Sequence, residues 1–241
     1  MSNNLEEIAS FYNVENDFDA LLVSYDFEVA KEYFFGRKFL ELGCATGEST
    51  LKLIPFADSI DLVEGAEKNI ETTKIKVGND NRARIEYFHA LWENYQFPVG
   101  TYSDVIWFHG IEHVEDPVFL LQRIFDSLKE NGRLHIVTPN AFSLHRRVGV
   151  AMGLLQDVHE LNDRDRAVGH CVVFDRQQVR KLLEENKYTI FSESGIMIKP
   201  LPNAKMKELS LQNSVLIDAY FTVGKELVDL AAETYLCATK K

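Results

Sequence analysis

The segment Glu41–Gly47 (ELGCATG) holds the residues whose types and spacing point most directly to chemistry. Gly43 and Gly47 lack a Cβ, so a ligand can lie close against the backbone there. The apolar run Lys38–Leu42 precedes them and a helical pattern follows, which makes the segment a strand-to-helix turn. Ligands of open α/β sheets sit outside such strand ends, where the next helix offers unpaired N–H groups. A phosphate cradle would need Lys followed by Ser or Thr after the second glycine, and Glu48-Ser49 stands there instead. A dinucleotide turn would read G-x-G-x-x-G, whereas this one reads G-x-x-x-G, with Glu41 placed to repel a pyrophosphate. A nucleoside cofactor with a cationic amino-acid end and no phosphate suits the turn better.

Positioning that turn requires alternating strands and helices. After Lys38–Leu42 the strand pattern returns at Ser59–Glu64, Arg84–Phe88, Asp104–Phe108, Arg133–Thr138, Tyr188–Ser192 and Tyr235–Thr239. Helices are expected from Gly47 to about Pro55, from Ala66 to about Val77, and after Asp116. Asp116 can cap the last of these and Pro117 suits its first position. Val118, Leu121, Ile124, Phe125 and Leu128 recur at helical spacing, with Gly132 as the expected left-handed stop. Asp175 and Gln178 form a capping pair for a helix carrying Val179, Leu182 and Leu183. Residues 1–35 read as helical and aromatic-rich, with Phe11, Tyr12, Phe18, Tyr25 and Phe27 among them. Such alternation implies a parallel α/β sheet covered on both faces. Two stretches break it, 140–172 and 195–224, and long insertions at one edge of a sheet commonly build a lid.

Five segments, in order, resemble class I S-adenosylmethionine (SAM) dependent methyltransferases. Glu41–Gly47 is similar to their first motif, and LVEGAEKNI carries Glu64 where they have an acid at the end of strand two. HALWENYQF stands at the adenine pocket. DVIWFHGIEHVEDP and LKENGRLHIVTPN resemble the segments around strands four and five, the former in a branch that includes ubiquinone-pathway enzymes. The likeness covers about Lys38 to Asn140.

It implies a Rossmann-like α/β fold: a seven-stranded, mostly parallel sheet with helices on both faces, N-terminal helices, and a lid from insertions after strand five and before the last strand. The whole chain, 1–241, would be one domain, with 1–35 as a helical segment and 36–139 as the cofactor core. It also implies roles. Gly43, Cys44, Ala45 and Gly47 would run along the methionine part, with Glu41 taking up the amino group. Glu64 would accept the ribose hydroxyls beside Gly65 and Ala66, Leu91 and Trp92 would flank adenine, and His109 would line the methionine side. Many relatives have an Asp before the adenine site, where this chain has His89-Ala90-Leu91, so Glu93 or a backbone carbonyl is expected to meet the adenine amino group.

Methyl transfer to a hydroxyl or amine also needs a base, and histidine is suited to it. His113, His145 and His170 are the candidates. His109, Glu112 and His113 could together suggest a divalent ion, but EHVEDP is common in relatives that bind none, so no metal is expected. Arg146 and Arg147 are candidates to grip an anionic acceptor. The lid sequence TPNAFSLHRRVGVAMG resembles methyltransferases of bacterial polysaccharide and sugar pathways, which implies a sugar, nucleotide sugar or surface-polysaccharide precursor as acceptor. The product from the cofactor would be S-adenosylhomocysteine. A nicotinamide (NAD(P)) dependent oxidoreductase and a noncatalytic SAM-binding subunit are the alternatives.

Composition sets the outer limits. With 26 Lys and Arg against 37 Asp and Glu, the 241 residues carry a formal charge of −11. That speaks against nucleic acid and anionic membrane as partners, since both are held by basic surface. Three scattered cysteines do not make a disulfide framework. MSNNLEEIAS has neither a basic start nor an apolar run, and a soluble, cytoplasmic monomer or homodimer is the expectation.

Overall fold

A computed structural model describes residues 2–11 and 17–240; Tyr12 and the adjoining part of the expected N-terminal helical stretch lie outside them. Helices α1 (Ser2–Phe11) and α2 (Asp19–Ala30) come first. Then β1 (Lys38–Leu42), α3 (Glu48–Leu53), β2 (Ser59–Glu64), α4 (Glu67–Val77), β3 (Arg84–His89) and β4 (Tyr102–Phe108) alternate. They are followed by α5 (Pro117–Ser127), β5 (Leu128–Pro139), α6 (Leu144–Ala151), α7 (Asp163–Ala167), α8 (Arg176–Glu185) and β6 (Tyr188–Ile196). The chain closes with α9 (Asn203–Gln212), α10 (Ser214–Glu226) and β7 (Glu233–Lys240).

The seven strands form one sheet in the order β3-β2-β1-β4-β5-β7-β6. All neighbours are parallel except β7, which runs antiparallel to both β5 and β6. The order reverses between β1 and β4, so the crevice at the C-terminal ends of these two strands is the natural ligand position.

Alternation along β1 shows how the sequence builds two cores from one strand. Leu40 and Leu42 pack with Leu120, Leu121 and Ile124 of α5 and with Val179 and Leu183 of α8. Phe39 faces the other way, toward Phe27 of α2 and Leu53 of α3. Glu41 shares that second face and meets Thr50 of α3. A buried Asp104–His135 ion pair (3.0 Å) links β4 to β5, and Asp104 also accepts the N–H groups of Phe35 and Gly36.

Both expected caps are present. Asp116 accepts the Phe119 N–H at 3.1 Å, and Asp175 and Gln178 exchange bonds of 2.9 and 3.0 Å. The end of α5 differs from the expectation. The helix stops at Ser127, because Leu128 is fully buried in the sheet opposite Tyr102, and the left-handed residue is Asn131 (φ +59°) rather than Gly132.

The segment 195–224, expected as part of a lid, is largely a piece of the core. Ile196, Met197, Met206 and Ile217 are core residues that pack with Leu22 and Val29 of α2, because the second face of the sheet needs a cover. Only its stretch from Lys199 to Ala204 reaches the cavity described below. No described helix is long and apolar enough to cross a membrane.

Candidate active site

A cavity of about 1460 Å³ opens at the β1/β4 reversal. One wall is the turn after β1. Gly43 and Gly47 have φ of +85° and +82°, and Ala45 also has positive φ. A Cβ on Gly43 would lie 3.0 Å from Trp92 Cζ2, and one on Gly47 would lie 2.9 Å from Thr73 Oγ1, so space and backbone both demand glycine. The turn is tied down by Gly43 N–H donating to Val63 O (2.9 Å) and Gly47 N–H to Cys44 O (2.7 Å).

Glu64, at the end of β2, buttresses this turn. One carboxylate oxygen accepts the Cys44 N–H (3.1 Å) and the other accepts the Ala66 N–H (2.8 Å). The Cys44 thiol is a further, weak donor 3.8 Å from the first oxygen; a carboxylate has about four acceptor positions, so at least one remains for a ligand. Glu64, Gly65 and Ala66 all line the cavity, as do Gly43, Cys44 and Ala45. Gly65 is close-packed by Leu5 of α1 and by Leu91. Leu91, Trp92 and Glu93 complete this end, with the Trp92 indole N–H donating to Val63 O at 3.2 Å. Burial pushes the Cys44 thiol up, which removes it as a nucleophile.

Glu41 is placed differently from a ligand contact. It is 1% exposed and does not line the cavity; one oxygen accepts from Thr50 Oγ1 (2.8 Å) and the other has no hydrogen-bond partner among the described residues. Burial raises its pKa to about 8. Gly47 is likewise outside the lining, and its part is to shape the turn.

His109 follows β4 with φ +49° and lines the cavity, as expected. Its setting was not legible beforehand. Nε2 bonds Asp26 of α2 at 2.8 Å, and Glu233 and Glu112 stand 3.9 Å from the ring. Burial opposes charge on the ring, but Glu233, Asp26 and Glu112 outweigh it and raise its pKa well above the ordinary value. A buried aspartate within the apolar helix DALLVSYDFEVA was the sequence signal for this partner.

The opposite wall comes from the 140–172 stretch and from Lys199–Ala204. His113 and His170 meet there, with ring centroids 4.8 Å apart. Burial lowers the His113 pKa. His145 also lines the cavity; burial, then Lys199 and Arg146, bring its pKa to about 3. Thus all three base candidates line the cavity, and two of them are in ring contact.

Arg146 lines the cavity, whereas Arg147 does not. Arg146 is buried, donates to the Val158 and Glu160 carbonyls and pairs with Asp165 at 3.1 Å, so its guanidinium holds the wall together. Arg147 donates to Phe142 O and borders a second, small cavity elsewhere. α1 supplies Leu5, Ile8 and Ala9 to the rim, a contribution the helical reading of residues 1–35 did not assign. α1 is held over α4 by Glu6, which accepts the Glu67 N–H.

The turn fits SAM on this structure's own terms. Its backbone is glycine-open, Glu64 keeps at least one free acceptor position beside it, and Thr46 Oγ1, also in the lining, has no partner among the described residues. The model of the methyltransferase domain family matches residues 22–193. The chain belongs to that family. Family membership makes this a SAM-dependent methyltransferase domain and sets the nicotinamide alternative aside.

Over 121 residues the chain is 30% identical to the mitochondrial ubiquinone biosynthesis O-methyltransferase of Schizosaccharomyces pombe, covering 49% of this chain and 44% of that protein. The enzyme of the same description from Bos taurus is 26% identical over 168 residues, covering 68% of this chain and 45% of that one. The chain thus spans less than half the length of the curated relatives it matches. Among solved structures, a SAM-dependent methyltransferase from Leishmania major superposes with a TM-score of 0.66 at 14% identity, over 98% of this chain and 81% of that one. A SAM-dependent methyltransferase from Methanosarcina mazei gives 0.60 at 11% identity, over 88% and 96%. At such identities the likeness is one of fold.

Proposed function

We propose that this chain transfers the methyl group of SAM to an oxygen, or else a nitrogen, of a small molecule. The observation that carries the reading is that one cavity joins the turn and Glu64 on one wall to the His113–His170 pair on the other. Its volume exceeds that of an ordinary single-ligand pocket, typically about 300–1,000 Å³, which suits a nucleoside and an acceptor side by side.

SAM, when bound, supplies a methyl group on a positively charged sulfur and leaves as S-adenosylhomocysteine. The chain supplies the rest. Gly43, Cys44 and Ala45 offer backbone to the cofactor's amino-acid end, and Glu64 orients its ribose. Leu91 and Trp92 border the adenine end, where Glu93 is at hand. His109 stands beside the amino-acid end with its three carboxylates. Leu5, Ile8, Val148 and Met152 give the rim an apolar surface that excludes water from the reacting groups. His113 Nδ1 bonds the Gly169 carbonyl, which leaves Nε2 with the lone pair to take the acceptor's proton.

Oxygen is favoured as the methylated atom by the names of the two curated relatives, both O-methyltransferases. The apolar rim favours an acceptor with an apolar body. A sugar or polysaccharide precursor is the weaker choice, because Arg146 is engaged within the protein and Arg147 lies outside the cavity.

The test is direct. The purified chain, given SAM with a labelled methyl group and a cell extract fractionated by polarity, is expected to label a small hydroxyl compound in the less polar fractions. Calorimetric SAM binding with no labelled product in any fraction overturns the reading in favour of a noncatalytic SAM-binding subunit.

A further inference from the structure

We propose that Glu112, His113 and His170 form a site for a divalent first-row transition-metal ion on the acceptor wall of the cavity. One ligand atom from each lies within 4.8 Å of the other two.

The wiring of the two rings comes first. His113 Nδ1 lies 3.1 Å from the Gly169 carbonyl, an acceptor only, so Nδ1 carries the proton and Nε2 the lone pair. His170 Nδ1 lies 3.4 Å from Asp165 Oδ1, near a carboxylate but without a hydrogen bond to it among the described residues, and that charge favours a proton on Nδ1 in the second ring too. Imidazoles that bind metals are held this way, with the far nitrogen on a carbonyl or carboxylate.

Glu112 gives an independent observation. It is 1% exposed, and Oε2 accepts the Thr138 hydroxyl at 3.2 Å. Oε1 has no hydrogen-bond partner among the described residues; His109 Nδ1, at 3.9 Å, is too far to be one. That oxygen is open to a cation placed beside it.

The three side chains are also held in place before any ion arrives. Cys171 N–H donates to Glu112 O (2.8 Å), and His170 N–H donates to Asp165 O (2.8 Å). Asp165 is fixed in turn by Arg146 and by its exchange of bonds with Asn162 at the start of α7. Gly169 has φ +87°, and a Cβ there would stand 3.2 Å from Ile8, so glycine is what lets its carbonyl reach His113. A second cluster, Asp26–His109–Glu233, is equally compact but differs in kind. There the ring's Nε2 is already bonded to Asp26, so no lone pair is left facing an ion.

Two imidazole nitrogens and one carboxylate suit Mn(II), Fe(II), Co(II) or Zn(II) rather than Ca(II) or Mg(II). Three protein ligands leave coordination positions open, and His113 and His170 line the cavity. The use of the site rests on the function proposed above. An acceptor hydroxyl that binds at an open position loses its O–H proton to water as its oxygen bonds the ion, and the oxygen is left as the nucleophile. The loaded ion then replaces the imidazoles as the group that draws the proton off.

The experiment uses Co(II) alone as probe, titrated into chelator-treated protein without SAM or acceptor. One equivalent should bind with visible d–d absorption of a mixed nitrogen–oxygen site. Glu112→Gln and His170→Gln should each weaken binding roughly tenfold or more. His159→Gln should not, because that ring bonds Val173 O away from the cluster. SAM binding by calorimetry, measured on every variant without metal, reports whether each has folded. Co(II) affinity unchanged in folded Glu112→Gln and His170→Gln, or absent in the parent protein, overturns the site. Methyl transfer that persists in chelator would leave the proposed function standing without the ion, whereas Co(II) binding with no transfer would do the reverse.

Discussion

Replacing Glu64 by glutamine tests the cofactor wall with almost no change in shape. Its two oxygens each accept one backbone N–H, from Cys44 and from Ala66. Glutamine keeps one acceptor and turns the other position into an NH2 donor. Whichever way the amide faces, one of those N–H groups then meets a donor. Hydrogen bonds to charged groups contribute about 1.5–3 kcal/mol and neutral ones about 0.5–1.5, so the fold should lose about 1–3 kcal/mol. For a domain of this size that is a fall in Tm of roughly 2–4 °C per kcal/mol. The ligand loses charge assistance on both ribose hydroxyls, about 1 kcal/mol each, and meets a less firmly held turn. SAM affinity should therefore drop roughly 10- to 100-fold. Calorimetric titration with SAM, beside thermal melts, reads both effects. If Tm falls but affinity stays within about twofold, the carboxylate serves only the turn, and the ribose assignment is refuted.

Other consequences of the geometry can be measured alongside. Glu41 in the native state keeps its proton up to about pH 8, whereas the unfolded chain gives it up near 4.5. Native stability from this group is therefore full below 4.5 and declines as pH rises toward 8. Glu41→Gln mimics the protonated form, so between pH 5 and pH 8 the parent should lose more stability in urea than the variant; equal losses would contradict the assignment. Gly43→Ala forces a Cβ to 3.0 Å from Trp92 at φ +85°, and strain of about 1–2 kcal/mol with a displaced indole should weaken SAM binding and shift tryptophan fluorescence. A variant with parental affinity and emission would show that the turn yields freely. Arg146→Ala leaves Asp165 without its buried partner and should cost about 3–5 kcal/mol, while Arg147→Ala, at the surface, should cost under about 1 kcal/mol. Equal melting temperatures for the two would remove Arg146 from its structural role.

Signals carried within a few residues were legible in the chain. The caps at Asp116 and Asp175, the glycines of the turn and the acid ending β2 each declare themselves by local spacing, because capping and positive φ are decided by neighbours. Together with the strand–helix alternation they determined the fold class and the cofactor wall. The end of α5 departs from its local pattern: Leu128 fits the helical period, yet burial opposite Tyr102 gains more in the sheet.

What tertiary structure alone decided is the opposite wall and the charges beneath it. Asp26 reaches His109 across 83 positions, and Glu112 lies beside a histidine supplied by a distant insertion. The fold ties Arg146 to Asp165 and two carbonyls, partners that lie outside its own helix. Glu41 belongs to the motif of the turn, yet the side alternation of β1 turns it under α3. Burial and charge pairing depend on which elements become neighbours, and sheet order and helix packing set those neighbours over the whole chain, beyond the reach of any local pattern.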